Sequence, residues 1–160
     1  MAAVLPLLPH LETRTRFVEP CAGDARLIRH LEAHGHECVG AYDIEPQHER
    51  VDRLDALLID HGFMTDHAYD GVFITNPPWD RKILHPLILH LSSIAPTWLL
   101  FDADWPHTKQ ASVFMPRLRK MVSVGRVKWI EDSKMTGKDN CAWYLFDQAN
   151  GGPTTFHGRV

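Results

Sequence analysis

The sequence predicts an α/β domain in which helices cover both faces of a mostly parallel sheet. Predicted strands alternate with helical patterns from residue 16 to residue 147, as in folds built from strand-helix-strand units. Residues 72–75 are β-branched or aromatic without alternation, which is typical of a strand buried on both faces. Glycine or polar residues directly follow several of these strands, and ligands of open α/β sheets bind at such strand ends.

The predicted elements follow one another with short connections. Residues 5–11 are apolar but contain two prolines, which favours a short helical or irregular segment over the sheet edge. The predicted strands are residues 16–19, 37–42, 72–75, 97–101, 123–130 and 142–146. The predicted helices are residues 26–33, 81–93 and 110–121. The second of these helices is expected to bury Ile83, Leu84, Leu87, Ile88 and Leu91. Residues 148–160 are expected to form a frayed tail.

Composition excludes several classes of protein. The 160 residues most simply form one domain, and no apolar run approaches the roughly 18 residues of a membrane span. The first nine residues contain no basic side chain, unlike a signal peptide. Three widely spaced cysteines predict neither a disulfide framework nor a zinc cluster, so a cytoplasmic location is expected. His30 and His34 lack a third ligand, so no metal site is predicted.

Charge is distributed unevenly along the chain. Residues 105–140 contain eight lysines and arginines against three acids, whereas the whole chain has a net charge of −3. A basic segment of this kind can be a footprint for a polyanion such as nucleic acid. It can equally be a solvated surface, and the sequence leaves the two interpretations open.

The stretch from Asp70 to Trp79 predicts a strand that ends in a rigid tip. Pro77 and Pro78 stop the strand because neither has an N–H to donate. Each proline also disfavours the helical conformation for the residue before it, so the backbone of Asn76 is held extended. The Asn76 amide and the Pro77 carbonyl therefore become neighbouring hydrogen-bond acceptors at the carboxyl end of a strand.

The sequence Asn76-Pro77-Pro78-Trp79 resembles motif IV of class I S-adenosylmethionine-dependent methyltransferases that modify planar amino groups. The resemblance implies methylation of adenine N6 or, less often, of cytosine N4 or a glutamine amide. It assigns the catalytic site to Asn76, Pro77, Pro78 and Trp79. Two acceptors would each bind one N–H of the amine and aim its lone pair at the methyl group. The Trp79 ring would stack on the flat substrate.

The turn after the first predicted strand resembles the family's motif I. Gly23 allows close backbone approach to a ligand, and Glu19 would receive the cationic methionine portion of S-adenosylmethionine. The sequence departs from the family pattern at Ala25, where a second glycine is usual. An ordinary turn between a strand and a helix is the alternative interpretation.

Two further carboxylates complete the predicted cofactor site. Asp43, followed by Ile44, resembles motif II and would bind the ribose hydroxyls, with Glu45 as the substitute; a simple surface turn is the alternative. Asp55 resembles the acid of motif III, near the adenine amino group, but residues 51–58 also fit a helix with Asp55 merely exposed. The residues assigned to cofactor binding are Glu19, Pro20, Cys21, Ala22, Gly23, Asp43, Ile44, Asp55, Ala56 and Asn76.

The resemblance covers residues 16–147 and implies a Rossmann-like class I methyltransferase fold. That fold has a mostly parallel seven-stranded sheet with an antiparallel last strand. We predict transfer to adenine N6 in DNA. Methylation of a glutamine amide or an RNA base is the first alternative, and a noncatalytic cofactor- or nucleic-acid-binding module is the second. The residues expected to bind substrate are Trp79, Trp105, Lys134 and Lys138.

The predicted single domain, residues 1–160, leaves no room for a separate target-recognition segment. Loose recognition, a homodimer, or the loops at Trp105 and Lys134 would then select the nucleic acid. A core or rim position is the alternative interpretation for Trp105.

Overall fold

The computed structural model describes residues 3–63, 71–127 and 139–159. The strands are β1 (Arg16–Glu19), β2 (Glu37–Asp43), β3 (Asp52–Arg53), β4 (Val72–Thr75), β5 (Thr97–Asp102), β6 (Leu118–Arg126), β7 (Asn140–Phe146) and β8 (Thr155–His157). The α-helices with defined bounds are α1 (Arg26–Glu32) and α2 (Arg81–Ile94). Short 3-10 helices cover Leu8–His10, Ala56–Leu58, Trp105–His107, Lys109–Val113 and Met115–Arg117.

The strands form one sheet in the order β3-β2-β1-β4-β5-β7-β6-β8. Neighbours from β3 to β5 are parallel, whereas β7 is antiparallel to both β5 and β6. The predicted fold class is therefore confirmed. The strand order reverses between β1 and β4, which is the switch point where open α/β sheets bind ligands.

The carboxyl-terminal part of the chain differs from the prediction. The predicted helix over residues 110–121 is wrong: 3-10 turns occupy its first part, and β6 begins at Leu118. Pro116 disfavours a helix through this stretch, because a proline in a helix interior removes a backbone hydrogen bond and clashes with the preceding turn; α2 nevertheless accommodates Pro86. The tail is not frayed throughout, since Thr155–His157 pair in parallel with β6. The described residues thus form eight strands rather than seven.

The amino-terminal segment covers a face of the sheet and not its edge. Ala3, Val4 and Leu7 are fully buried in the same cluster as Trp143 of β7, an interior strand. The Trp143 indole Nε1–H donates a 2.7 Å hydrogen bond to the Ala3 carbonyl. This segment is therefore part of the core.

Helix α2 follows the Asn-Pro-Pro-Trp tip directly. The Asp80 side chain begins the helix by accepting from the Lys82 N–H at 2.9 Å. Leu84, Leu87, Ile88 and Leu91 are buried as predicted, whereas Ile83 is 46% exposed, so the prediction for Ile83 is wrong. In residues 3–63, 71–127 and 139–159, no helix has the length and apolar character needed to cross a membrane.

Candidate active site

Three predicted site residues meet at one edge of the sheet. Glu19 ends β1, Asp43 ends β2, and Asn76 directly follows β4. Because β1 is parallel to both β2 and β4, these carboxyl ends lie side by side at the switch point. The fold thus brings together residues from three of the predicted motifs.

Backbone hydrogen bonds join the loop after β1 to the loop after β2. The Ala22 N–H donates to the Tyr42 carbonyl at 2.8 Å, and the Gln47 N–H donates to the Gly23 carbonyl at 3.0 Å. The Gly23 N–H donates to Asp43 Oδ2 at 2.8 Å, and Gly23 has a φ of +49°. This left-handed conformation favours glycine. The two loops therefore form one continuous wall.

Ala25 retains the backbone conformation of a glycine. Its φ is +59°, in the left-handed region, and its methyl group is fully buried at the start of α1. A non-glycine residue in this region costs about 1–2 kcal/mol. Ala25 thus adopts a backbone conformation that a glycine would adopt at a lower energetic cost.

Glu19 is a buried acid without a hydrogen-bond partner at one oxygen. The residue is 2% exposed, and its Oε2 is unpaired among the described residues. Burial raises the pKa of Glu19 well above its ordinary value, and the charges of Asp24 and Asp43 add to the increase. A bound cation would pair this oxygen and reverse the effect. Glu19 therefore has the properties of a cation-binding residue.

Cys21 is an unreactive thiol in the same wall. Burial, followed by the charges of Asp43 and Glu19, raises its pKa to about 12. A thiol with this pKa is neutral at pH 7, so Cys21 does not act as a nucleophile there. Three carboxyl groups, those of Asp43, Glu19 and Asp55, therefore lie close enough to Cys21 to raise the pKa of its thiol.

Asn76 lines three adjoining cavities. The largest cavity has a volume of about 540 Å³ and also contacts Asp43, Ile44, Asp55 and Ala56. A second cavity of about 260 Å³ reaches Glu19. A third, of about 340 Å³, is lined by Asn76, Pro77, Pro78 and Trp79. Asn76 therefore borders all three cavities.

Asp55 lies at the large cavity, and its contact with the adenine amino group stays a prediction. Its side chain accepts from the Leu57 N–H at 3.0 Å and thereby begins the 3-10 helix Ala56–Leu58. The alternative of a helix over residues 51–58 is wrong, because β3 occupies part of that stretch. Only Val51 and Ala56 are buried in residues 51–58, whereas Leu57 and Leu58 are 42% and 72% exposed.

The Trp79 indole contacts Asn76. Its Nε1–H donates to Asn76 Oδ1 at 3.3 Å and to the Leu100 carbonyl at 3.2 Å. The ring is half-buried and packs against residues on both faces of the sheet. Trp79 also lines the third cavity, so the predicted contact with substrate stays a prediction.

Sequence reasoning missed the contribution of α2 to the large cavity. Lys82, Ile83, Pro86 and Leu87 all line it. Ile83 could have been recognised, because it is an apolar residue close in sequence to the Asn-Pro-Pro-Trp motif. Helical spacing alone predicted that it would be buried in the core. Gln47, which lines the second cavity, carried no recognisable pattern.

The structure corrects the assignment of Trp105. The ring is 1% exposed, and its Nε1–H donates to His85 Nε2 at 3.1 Å. Phe101, Phe114 and Tyr144 surround it at centroid distances of 5.2, 5.7 and 5.6 Å. Trp105 therefore has no ring face for a base to stack on.

Part of the predicted basic surface has a structural role. Arg117 donates to the Leu89 carbonyl and to Ser92 Oγ, and Arg119 donates to several backbone carbonyls, among them that of Pro116. These guanidinium groups stabilise the chain around β6. The predicted phosphate contacts Lys134 and Lys138 lie outside the described residues.

Neither a protein-family model nor a curated protein matches the sequence, but solved structures share its fold. The 23S rRNA methyltransferase ErmE has 15% identity and a TM-score of 0.56, over 94% of this chain and 68% of its own. A protein from Pyrococcus horikoshii, provisionally named an RNA methyltransferase, has 14% identity and a TM-score of 0.54, over 91% and 80%. A provisionally named class I S-adenosylmethionine-dependent methyltransferase from Listeria monocytogenes has 12% identity and a TM-score of 0.53, over 98% and 62%.

At these identities the likenesses show the fold alone. The chain has the fold of class I S-adenosylmethionine-dependent methyltransferases, with the switch point and strand-end loops described above.

Proposed function

We propose that the protein is an S-adenosylmethionine-dependent methyltransferase that acts on a planar exocyclic amino group of a nucleic-acid base. The observation that supports this most is the position of Asn76 between three cavities. Two of these cavities, of about 540 and 260 Å³, are lined by residues that the motif resemblance assigns to cofactor binding. The third, beside Trp79, is left for the acceptor base.

The residues present fit S-adenosylmethionine. Glu19, with its unpaired buried oxygen, matches the ammonium of the methionine portion. Asp43 matches the ribose hydroxyls, since each carboxylate oxygen keeps a lone pair beside its backbone hydrogen bond. Asp55 and Ala56 lie where they would meet the adenine edge, in a cavity lined largely by apolar side chains.

The chemistry follows from the acceptors at the tip. The bound cofactor supplies an electrophilic methyl group on a sulfonium. The Asn76 amide oxygen and the Pro77 carbonyl would each accept an N–H from the substrate, which turns the nitrogen lone pair out of conjugation and toward the cleft. No general base is needed before transfer, because the amine becomes acidic only once it is methylated.

The acceptor base is the finer part of the proposal. The motif resemblance favours adenine N6 in DNA, with an extruded base held beside Trp79. RNA is the second candidate, and it is favoured by the names of two proteins of the same fold, a 23S rRNA methyltransferase and a provisionally named RNA methyltransferase. Lys134 and Lys138 are proposed as phosphate contacts in either case, and a homodimer would extend the surface.

One experiment separates these possibilities. The protein is incubated with methyl-labelled S-adenosylmethionine and separate pools of DNA, RNA and protein, and each product is digested and identified. Label in N6-methyladenine supports the proposal, and the pool that contains it shows whether DNA or RNA is the substrate. Label in glutamine assigns the enzyme to protein methylation. Equal background for the wild type and Asn76→Ala in every pool overturns catalysis and favours a binding module.

A further inference from the structure

The side-chain amide of Asn76 has two chemically opposite ends. Its oxygen accepts hydrogen bonds, whereas its NH₂ group only donates them. An amino substrate needs an acceptor, so a rotation of the amide by 180° would present the wrong atoms. Catalysis by Asn76 therefore depends on whatever fixes the orientation of this amide.

The indole of Trp79 contacts the oxygen end. Indole nitrogen is a donor and never an acceptor, so the atom 3.3 Å from Nε1 must be Oδ1 and not Nδ2. The reversed amide would place two donors against each other. The observed orientation of the amide gains a hydrogen bond from Trp79, whereas the reversed orientation would be repelled by the same N–H.

The indole itself is held by a neighbouring strand. Its N–H is shared with the carbonyl of Leu100, a fully buried residue of β5, at 3.2 Å. The ring also packs against the hydrophobic clusters on both faces of the sheet. These contacts keep the N–H at a fixed place relative to β4 and β5.

We propose that Trp79 is a positioning residue, which orients the Asn76 amide through its indole N–H so that Oδ1 faces the acceptor cavity. This inference rests on the proposed function. Stacking on a substrate needs only the ring, whereas orientation of Asn76 needs the N–H. Phenylalanine at position 79 would supply a ring without a donor.

The test compares two substitutions that each remove an indole N–H and keep an aromatic ring. Trp79→Phe removes the bond to Asn76. The matched control Trp143→Phe removes the 2.7 Å bond to the Ala3 carbonyl, away from the cavities around Asn76. We expect Trp79→Phe to lower kcat about tenfold, the effect of one hydrogen bond of ordinary net strength, with KM within about twofold of the wild type. Once activity is corrected for the fraction of protein that is folded, Trp143→Phe should have the kcat and KM of the wild type.

Three kinetic outcomes overturn the inference. The first is an unchanged kcat in Trp79→Phe, and the second is an effect confined to KM, which would assign the ring to substrate binding. The third is an equal loss of kcat in both variants, which would indicate a general loss of folded structure. Thermal denaturation of each variant gives the folded fraction needed for the comparison.

A second measurement does not depend on turnover. The Trp79 indole Nε1–H resonance, assigned by its disappearance in Trp79→Phe, should shift in Asn76→Ala. A resonance that stays in place overturns the contact. If the wild type methylates no acceptor, the proposed function fails, and the resonance alone then decides whether Trp79 orients Asn76.

Discussion

The Gly23 amide donates a 2.8 Å hydrogen bond to the Asp43 carboxylate, and this bond joins two loops that border the 540 Å³ cavity at Asn76. The residues are 20 positions apart in the sequence. The glycine turn and the acid of the next strand therefore act as one unit, and a change at either residue should affect both loops.

Asp43→Ala should weaken binding of S-adenosylmethionine. The variant loses the proposed ribose hydrogen bonds and the support of Gly23, for a loss of about 1–3 kcal/mol. Isothermal titration calorimetry measures the affinity. Asp52→Ala is the matched control, since it removes an exposed acid of the adjacent strand β3 that does not line the cavity. Equal affinity in Asp43→Ala and the control would refute the ribose assignment.

Glu19→Gln should stabilise the cofactor-free protein and weaken cofactor binding. The pKa of Glu19 is raised in the folded state, so its contribution to stability is fully present below the ordinary value of 4.5 and is lost as the pH rises through the folded value. Glutamine does not ionise. The stability of the variant relative to the wild type should therefore increase between pH 5 and pH 8.

Urea denaturation of both proteins at these two pH values measures the effect, and calorimetry measures binding. A stability difference that does not change with pH would show that Glu19 titrates normally. Tight binding by Glu19→Gln would remove it from the proposed ammonium site.

Asn76→Ala should remove most methyl transfer, whereas cofactor binding should survive. Loss of a preorganised acceptor lowers turnover about 100-fold or more. A labelled-cofactor assay gives turnover, and calorimetry gives affinity. Turnover equal to the wild type would rule out the catalytic assignment.

Ala25→Val should destabilise the protein by about 2 kcal/mol or more. A β-branched side chain at a φ of +59° is strained, and two further methyl groups at a fully buried site would have to displace their neighbours. Ala33→Val, at the exposed end of α1, is the control and should cost much less. Similar urea midpoints for the two variants would contradict the left-handed conformation of Ala25.

Simultaneous change of Lys134 and Lys138 to alanine should reduce the salt dependence of nucleic-acid binding. Each lost phosphate contact lowers the slope of log affinity against log salt by about 1. Fluorescence anisotropy at several salt concentrations measures the slope. Lys109→Ala is the control, since it shows whether loss of any lysine from the basic segment has the same effect. An unchanged slope in the double variant would exclude Lys134 and Lys138 as phosphate contacts.

The first half of the fold was predictable because its signals are local. Glycine at the turn after β1, prolines after β4 and short apolar strands each restrict the backbone by sterics that act within a few residues. The strands β1 and β4 begin and end at the predicted residues for this reason. Glu19, Asp43 and Asn76 each end or directly follow a predicted parallel strand. That placement was enough to predict that the three residues lie at the same edge of the sheet.

The features that sequence reasoning missed depend on distant partners. Trp105 is buried by residues of β5 and β7. β8 exists because the edge of β6 offers it a partner, not because Thr155–His157 has a strand pattern. The contact of Trp79 with Asn76 depends on Leu100 of another strand. A short sequence motif contains none of this information.

The junction of three cavities at Asn76 has a consequence for inhibitor design. A bisubstrate compound, in which a nucleoside is joined to an amino-bearing base by a short linker, would pass this side chain and occupy spaces on either side of it. A substitution at Asn76 that replaces the amide with an apolar side chain would also remove the proposed acceptor oxygen, so escape by that route should abolish the proposed reaction.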